Sequence, residues 1–228
     1  MQIDPHPRPQ SDSHYDEAYY LGHYGAEISD ELYYRLLSLY WRHVLFVLRG
    51  LDTRGKVLDF GSGLGQVSAA LDDTVCFDTS AFAIAELRKR GRTAIENRLD
   101  IPRGAFDYLV SSHSLEHSRS PYQDLEEFQQ YMRSSGRIVL VLPVETNLRP
   151  ALQSDSNQHL HAWTFQTITN LLLATGWTPL SQTLILSPYM LRTLGRRISS
   201  ERAVRAAYAL GRLKRANPSM LTIAQASG

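Results

Sequence analysis

With 43% hydrophobic and 21% charged residues in 228, the chain has the composition of an ordinary globular protein, which excludes both disorder and a membrane-embedded body. Its length suits one α/β domain with some additions and is too short for two ordinary domains plus linkers. Formal net charge is +1, but Arg192 to Arg215 holds eight basic residues and one acid, so that stretch is +7 and the rest is −6; elsewhere basic residues are evenly spread and leave no strong nucleic-acid signal.

Residues 1–14 are polar, carry three prolines and lack an apolar h-region, so they read as a flexible tail and not as a secretory signal. No run of 18 apolar residues is present to span a bilayer. The single cysteine, Cys76, excludes an internal disulfide and sits in an apolar run, as a small core residue does. A cytoplasmic location fits these features. Residues 15–228 then form the domain, opening on a tyrosine-dense stretch from Tyr15 to Tyr24 whose rings offer apolar faces with polar tips. A helix is expected over 28–49, starting at Ser29 with Asp30 and Glu31 at its positive end. Leu32, Leu36, Tyr40, Val44 and Leu48 repeat at steps of four and turn one face to the core, until Gly50 stops it.

Lys56-Val57-Leu58-Asp59-Phe60 reads as a buried strand that breaks into alternate glycines, Gly61, Gly63 and Gly65. Such glycines mark a sharp turn or the close approach of a ligand. A helix from about Gly65 to Leu71 would aim free N–H groups and its positive dipole end at the same pocket. The dinucleotide fingerprint G-x-G-x-x-G fails because position 66 is Gln66, and no Gly-Lys-Ser/Thr phosphate loop is present. What remains is D-x-G-x-G-x-G, led by Asp59. The next strand, Thr74 to Asp78, ends in a carboxylate, where an open α/β sheet places an acid that accepts both hydroxyls of a ribose. The competing role for Asp78 is to cap the following helix, Ser80 to Arg90, although Thr79 or Ser80 can do that instead. A weak strand follows at Thr93–Ile95.

Phe106 to Ser111 is the fourth strand, and Ser112-His113-Ser114-Leu115-Glu116-His117 lies at its carboxyl end. Alone, His113 to His117 spells H-x-x-E-H, the inverted zinc-protease pattern. That pattern needs a long helix, and Ser118, Ser120 and Pro121 interrupt it. Ser120, Pro121 and Gln123 instead start a new helix with Leu125, Phe128 and Met132 inward and Gly136 at its end. Arg137 to Pro143 is a strand buried on both faces. Residues 144–162 are irregular and include His159-Leu160-His161. A helix begins at Trp163-Thr164, with Ile168, Leu171 and Leu172 inward. Leu184–Leu186 and Met220–Ala224 supply the sixth and seventh strands. Between them lies the basic insertion, 188–217, whose Arg202, Arg205 and Arg212 share a face. It suits an anionic substrate, peripheral contact of 192–215 with an anionic membrane, or a solvated helix covering the sheet edge. Crossovers up to strand five and a final pair joined without one predict an α/β fold: a Rossmann-like, seven-stranded, mostly parallel sheet of order 3-2-1-4-5-7-6, strand 7 antiparallel and helices on both faces.

The glycine turn with Asp59, the acid Asp78 and the Ser112–His117 string resemble the class I S-adenosylmethionine-dependent methyltransferases of small-molecule type, over roughly residues 15–226. The resemblance implies S-adenosyl-L-methionine as cofactor. It implies that Gly61, Ser62, Gly63 and Gly65 hold the methionine portion, that Asp59 organises the turn and that Asp78 takes the ribose, with Thr79, Ser112 and His113 nearby. At the position where the family usually carries an acid near the adenine, this chain has Asn97, a departure. His113, His117 and His161 are the candidate general bases, and no metal is assigned. No Asn/Asp-Pro-Pro-Tyr/Phe motif follows strand four, so the expected reaction is O-methylation of a small-molecule, glycan or lipid-linked acceptor. Two rival readings are a non-catalytic S-adenosylmethionine-binding module whose basic insertion holds a partner, and a zinc hydrolase using His113, Glu116 and His117.

Overall fold

The structure is a computed structural model and describes residues 15–24, 30–48, 51, 54–145, 152 and 158–227. The tail 1–14, Ser29, Gly50 and most of the irregular stretch after Glu145 lie outside the described residues.

Seven strands form one sheet: β1 Val57–Phe60, β2 Thr74–Phe77, β3 Thr93–Ile95, β4 Phe106–Ser112, β5 Met132–Pro143, β6 Trp177–Leu186 and β7 Pro218–Ala226. Their order is β3-β2-β1-β4-β5-β7-β6, parallel through β5, with β7 antiparallel to both β5 and β6. This is the expected Rossmann-like arrangement. The alternation of strand side chains divides the core in two. Leu58, Phe60, Leu109, Ile138 and Leu140 face one layer, which α4 (Pro121–Tyr131) and α5 (Phe165–Ala174) complete with Leu125, Phe128, Ile168 and Leu172. Val57, Val110, Val139 and Val141 face the other, covered by α2 (Glu31–Arg42) and α7 (Ser200–Lys214).

Several boundaries differ from the sequence expectation. Helix α2 begins at Glu31 and is capped by Asp30, whose Oδ1 accepts from the Tyr33 N–H at 3.0 Å. It runs on into a π turn, His43–Val47, which carries Val44, Leu45 and Phe46 into the core. In place of a helix over 65–71 there is one 3₁₀ turn, Ser68–Ala70. The Gly65 carbonyl accepts from the Ala69 N–H at 2.9 Å as well as from the Tyr34 and Ser68 hydroxyls, but the Ser68 N–H goes to Asp59 and the bonds that follow, Ala70 to Val67 and Leu71 to Ser68, are of the 3₁₀ type, so no longer helix forms there. Helix α4 stops at Tyr131, and Met132 already pairs with Phe106, so Gly136 lies inside β5 rather than ending the helix. Strand β6 starts at Trp177, seven residues before the predicted Leu184.

The basic insertion forms a short helix, α6 (Leu191–Gly195), and then α7. Ala203, Val204, Ala207 and Gly211 are buried, while Arg202, Arg205 and Arg212 face solvent. The apolar face of α7 is therefore spent on the core, and Arg192 and Arg196 pair with Asp30; its exposed arginines are what it has left to offer an anionic partner. Among the described residues no helix is long and apolar enough to cross a membrane.

Candidate functional site

A cavity of about 960 Å³ opens at the carboxyl ends of β1, β2 and β4. The glycine turn forms its floor. Gly61, Gly63 and Gly65 all have positive φ, 71°, 50° and 77°, a region that L side chains rarely adopt. At Gly61 a Cβ would also overlap the side chain of Ser114, so the turn packs against the segment after β4 only because no side chain is there. Gly61 and Ser62 donate their N–H groups to the Phe77 carbonyl at 2.8 and 3.0 Å, which joins the turn to the end of β2.

Two buried carboxylates hold the turn. Asp78 accepts from the Gly63 N–H at 2.7 Å and from the Ser80 N–H at 2.9 Å. Ser80, not Asp78, caps the helix α3 (Ala81–Lys89) by accepting from Ala83. Burial raises the Asp78 pKa above the ordinary carboxylate range, against the pull of its backbone partners. Asp59 is 1% exposed and accepts from Ser68 at 3.2 Å; burial pushes its pKa up to about 7, with the Asp78 charge adding to the rise. Because this folded-state value exceeds the ordinary one near 4, the stability linked to Asp59 is complete below about pH 4 and is lost as pH rises through about 7. The ligand-free Asp59→Asn variant is therefore expected to lose less melting temperature between pH 5 and 8 than wild type; parallel curves from calorimetry would refute that. Cys76 is buried beneath, its thiol pushed up to about 12 by burial, as an unreactive core residue should be.

Of the residues expected to serve the cofactor, Asp59, Gly61, Ser62, Gly63, Asp78 and Thr79 line the cavity, as do Ser112 and His113. Gly65 stands behind the wall, where a Cβ would meet Leu87, Ser68 and Tyr34. Asn97 is a correction: it is exposed, and its side chain caps a 3₁₀ turn by accepting from Leu99 at 3.0 Å. Its neighbour Arg98 lines the cavity instead, lying 4.9 Å from the Phe60 ring centre and paired with Asp124 at 2.6 Å.

The opposite wall carries the imidazoles. His113 has φ 52°, an uncommon backbone state for a residue with a side chain; its Nδ1 lies 3.5 Å from Glu116 Oε1 and its Nε2 3.3 Å from the Ser219 hydroxyl. His117 stacks edge-on against Tyr15 and His159, and burial holds its pKa below the ordinary imidazole value, the Glu116 carboxylate opposing. His161 is the second correction. It does not line the cavity; its Nε2 bonds the Ser118 carbonyl at 2.9 Å and its ring lies against Trp163. His159 lines the cavity in its place, with Nδ1 on Glu145 and Nε2 3.9 Å from Glu116. The sequence held no signal to prefer one over the other, since both lie in an irregular stretch. Tyr15, Tyr19 and Tyr20, on and before α1 (Glu17–Tyr24), close the cavity with Tyr33, Leu37 and Trp41 of α2, a role the sequence reading did not assign to them.

The arrangement offers a sharp turn with two acids for a nucleoside-bearing ligand, and a separate imidazole–carboxylate wall for chemistry on a second molecule. The volume lies at the upper end of the usual range for small-molecule sites, about 300–1,000 Å³, enough for two occupants. A family model described as a methyltransferase domain matches residues 32–182. No curated protein matches the sequence. Among solved structures, the chain is similar to the 1,6-didemethyltoxoflavin-N1-methyltransferase of Burkholderia thailandensis, with bound 1,6-didemethyltoxoflavin and S-adenosylhomocysteine (15% identity, 100% of this chain and 94% of that one, TM-score 0.58). It is similar to a SAM dependent methyltransferase from Archaeoglobus fulgidus (16%, 90% and 99%, 0.57). It also resembles phospholethanolamine N-methyltransferase 2 of Haemonchus contortus, in complex with phosphomonomethylethanolamine and S-adenosylhomocysteine (13%, 96% and 61%, 0.57). At these identities the likeness is one of fold.

Proposed function

This chain belongs to the methyltransferase-domain family, and from that premise we propose that it is an S-adenosylmethionine-dependent O-methyltransferase, acting on a hydroxyl of a small-molecule, glycan or lipid-linked acceptor. The cofactor and reaction class follow from the family; the acceptor atom is the added step. The residues present fit the cofactor: Gly63, at positive φ on the cavity floor, leaves open the space a Cβ would enter, with only Tyr20 of the described residues near it, at 3.8 Å, and Asp78, buried and already holding Gly63, keeps further lone pairs for ribose hydroxyls. When bound, the cofactor supplies a methyl group already activated on a sulfonium. Asp59, Asp78 and the glycine turn orient it, and the Tyr15–Tyr24 stretch with α2 excludes water, so that positioning carries much of the catalysis.

The observation that supports a hydroxyl acceptor is the wall formed by His113, His117, His159 and Glu116. A hydroxyl is a poor nucleophile until it gives up its proton, whereas a neutral amine already has a free lone pair. Imidazoles beside carboxylates are equipped to take that proton near neutral pH. Two of the structural neighbours are N-methyltransferases by name, so the test must separate the two atoms. Labelled methyl transfer into matched panels of hydroxyl and amine compounds is expected to label hydroxyl compounds. Labelling confined to amines would overturn the O-methylation reading and leave the family assignment standing.

A further inference from the structure

We propose that Glu116, His117 and His159 form a binding site for one transition-metal dication of the zinc, manganese or cobalt class, facing the acceptor end of the cavity. The inference rests on the methyltransferase reading and deepens it, because a cation there calls for an acceptor that offers it an oxygen and leaves His113, outside the metal group, as the imidazole of that wall that takes the proton.

Glu116 carries the first observation. Its side chain is wholly buried, and among the described residues neither carboxylate oxygen has a hydrogen-bond partner. An uncompensated buried carboxylate is strongly destabilising, and a cation bound against it would offset that cost. Among the described residues the basic groups that approach it are imidazole nitrogens, His113 Nδ1 at 3.5 Å and His159 Nε2 at 3.9 Å. One donor atom each from Glu116, His117 and His159 lies within 4.8 Å of the other two. Bonds of about 2.0–2.2 Å to a shared ion in tetrahedral geometry put donors roughly 3.4 Å apart, so the widest pair here closes by about an ångström, within reach of side-chain rotation.

The second observation is how the two imidazoles are held. A metal-binding histidine presents one ring nitrogen to the ion and gives the other to a carboxylate or backbone carbonyl, which fixes its tautomer and direction. His159 gives Nδ1 to Glu145 and turns Nε2 toward Glu116. The backbone of Gln158 hydrogen-bonds His117, whose Nδ1 is left without a partner. The backbone is pinned as well. Leu160 and His161 both donate their N–H groups to the Glu116 carbonyl, at 2.9 and 3.2 Å, so the segment bearing His159 is tied to the turn bearing Glu116 and His117.

Two nitrogens and one carboxylate suit a borderline transition metal and not magnesium or calcium, which take oxygen ligands. Three protein ligands leave positions open, as catalytic and substrate-binding sites do, and all three residues line the cavity. This differs from the zinc-hydrolase pattern in the sequence. His113 is not in the group, and His117 lies in a 3₁₀ turn, Leu115–His117, not on a long helix.

The full chain, stripped with chelator and dialysed against zinc chloride alone, is expected to retain about one zinc per chain by mass-spectrometric metal analysis. Cobalt substituted for zinc is expected to give the visible absorption of a four- or five-coordinate site. Glu116→Gln, which keeps the side-chain shape, and His159→Ala, at a half-buried position, should each weaken zinc binding by at least about 100-fold; His43→Ala, outside the cavity, should leave it unchanged. Zinc binding absent from wild type, or equal in wild type and both variants, overturns the site. Adenosylmethionine titrated into the same preparations separates the two readings: cofactor binding without zinc refutes the metal alone, and zinc binding without the cofactor refutes the methyltransferase reading on which its role depends.

Discussion

Replacing Asp78 by alanine is expected to weaken adenosylmethionine binding by at least about 100-fold in isothermal titration calorimetry. One carboxylate does several jobs here. It accepts from Gly63 and Ser80, which fixes the glycine turn against the start of α3, and its remaining lone pairs are available to the ribose hydroxyls. Hydrogen bonds to a charged group contribute about 1.5–3 kcal/mol each. Two of them lost amount to roughly 3 kcal/mol or more, and 1.4 kcal/mol is about a factor of ten. Alanine also leaves the Gly63 N–H without its partner, which loosens the floor of the cavity. Asp78→Asn keeps the shape and one acceptor, so its loss should be intermediate. Wild-type affinity in Asp78→Ala would remove Asp78 from the cofactor site, whatever happens to turnover.

Trp177→Ala is expected to cost about 3–5 kcal/mol of folding stability, because a large buried side chain is removed and the cavity only partly collapses. The indole is fully buried at the start of β6, and its Nε1–H donates to the Leu125 carbonyl at 2.8 Å. It thus ties the edge strand of the sheet to α4, in the layer that also holds Phe128, Ile168 and Leu172. For a chain of this size each kcal/mol lowers the melting temperature by about 2–4 °C, so a drop on the order of 10 °C should appear in calorimetry. Trp177→Phe, which refills much of the space and loses the hydrogen bond, should recover more than half of it. A drop of a degree or two in the alanine variant would show that this joint carries little of the fold.

The boundaries missed in the sequence share a cause. Local pattern puts a helix after Gly65 and a stop at Gly136, but both are decided by partners elsewhere in the chain. The Ser68 N–H goes to the Asp59 carboxylate instead of continuing a helix, and Phe106 pairs with Met132. The early part of β6 went unseen because Thr178, Ser181 and Gln182 are exposed and polar and Pro179 interrupts the run, while their pairing with β7 comes from the sheet edge they complete. Asn97 followed a family position; in the fold its side chain is used on its own backbone.

By itself the sequence determined the order of the seven strands and which residues of the glycine turn and strand ends line the cavity. Both depend on features local to the chain: apolar runs of strand length, glycines at positive φ, and acids that end or follow a strand. Only the tertiary structure decided the acceptor end. His117 and His159 are distant in sequence, and nothing in the residues between them distinguishes His159 from His161. The choice is made by two backbone N–H groups on the Glu116 carbonyl, which fold the later segment across the turn after β4 so that one imidazole faces the cavity and the other is spent on Ser118.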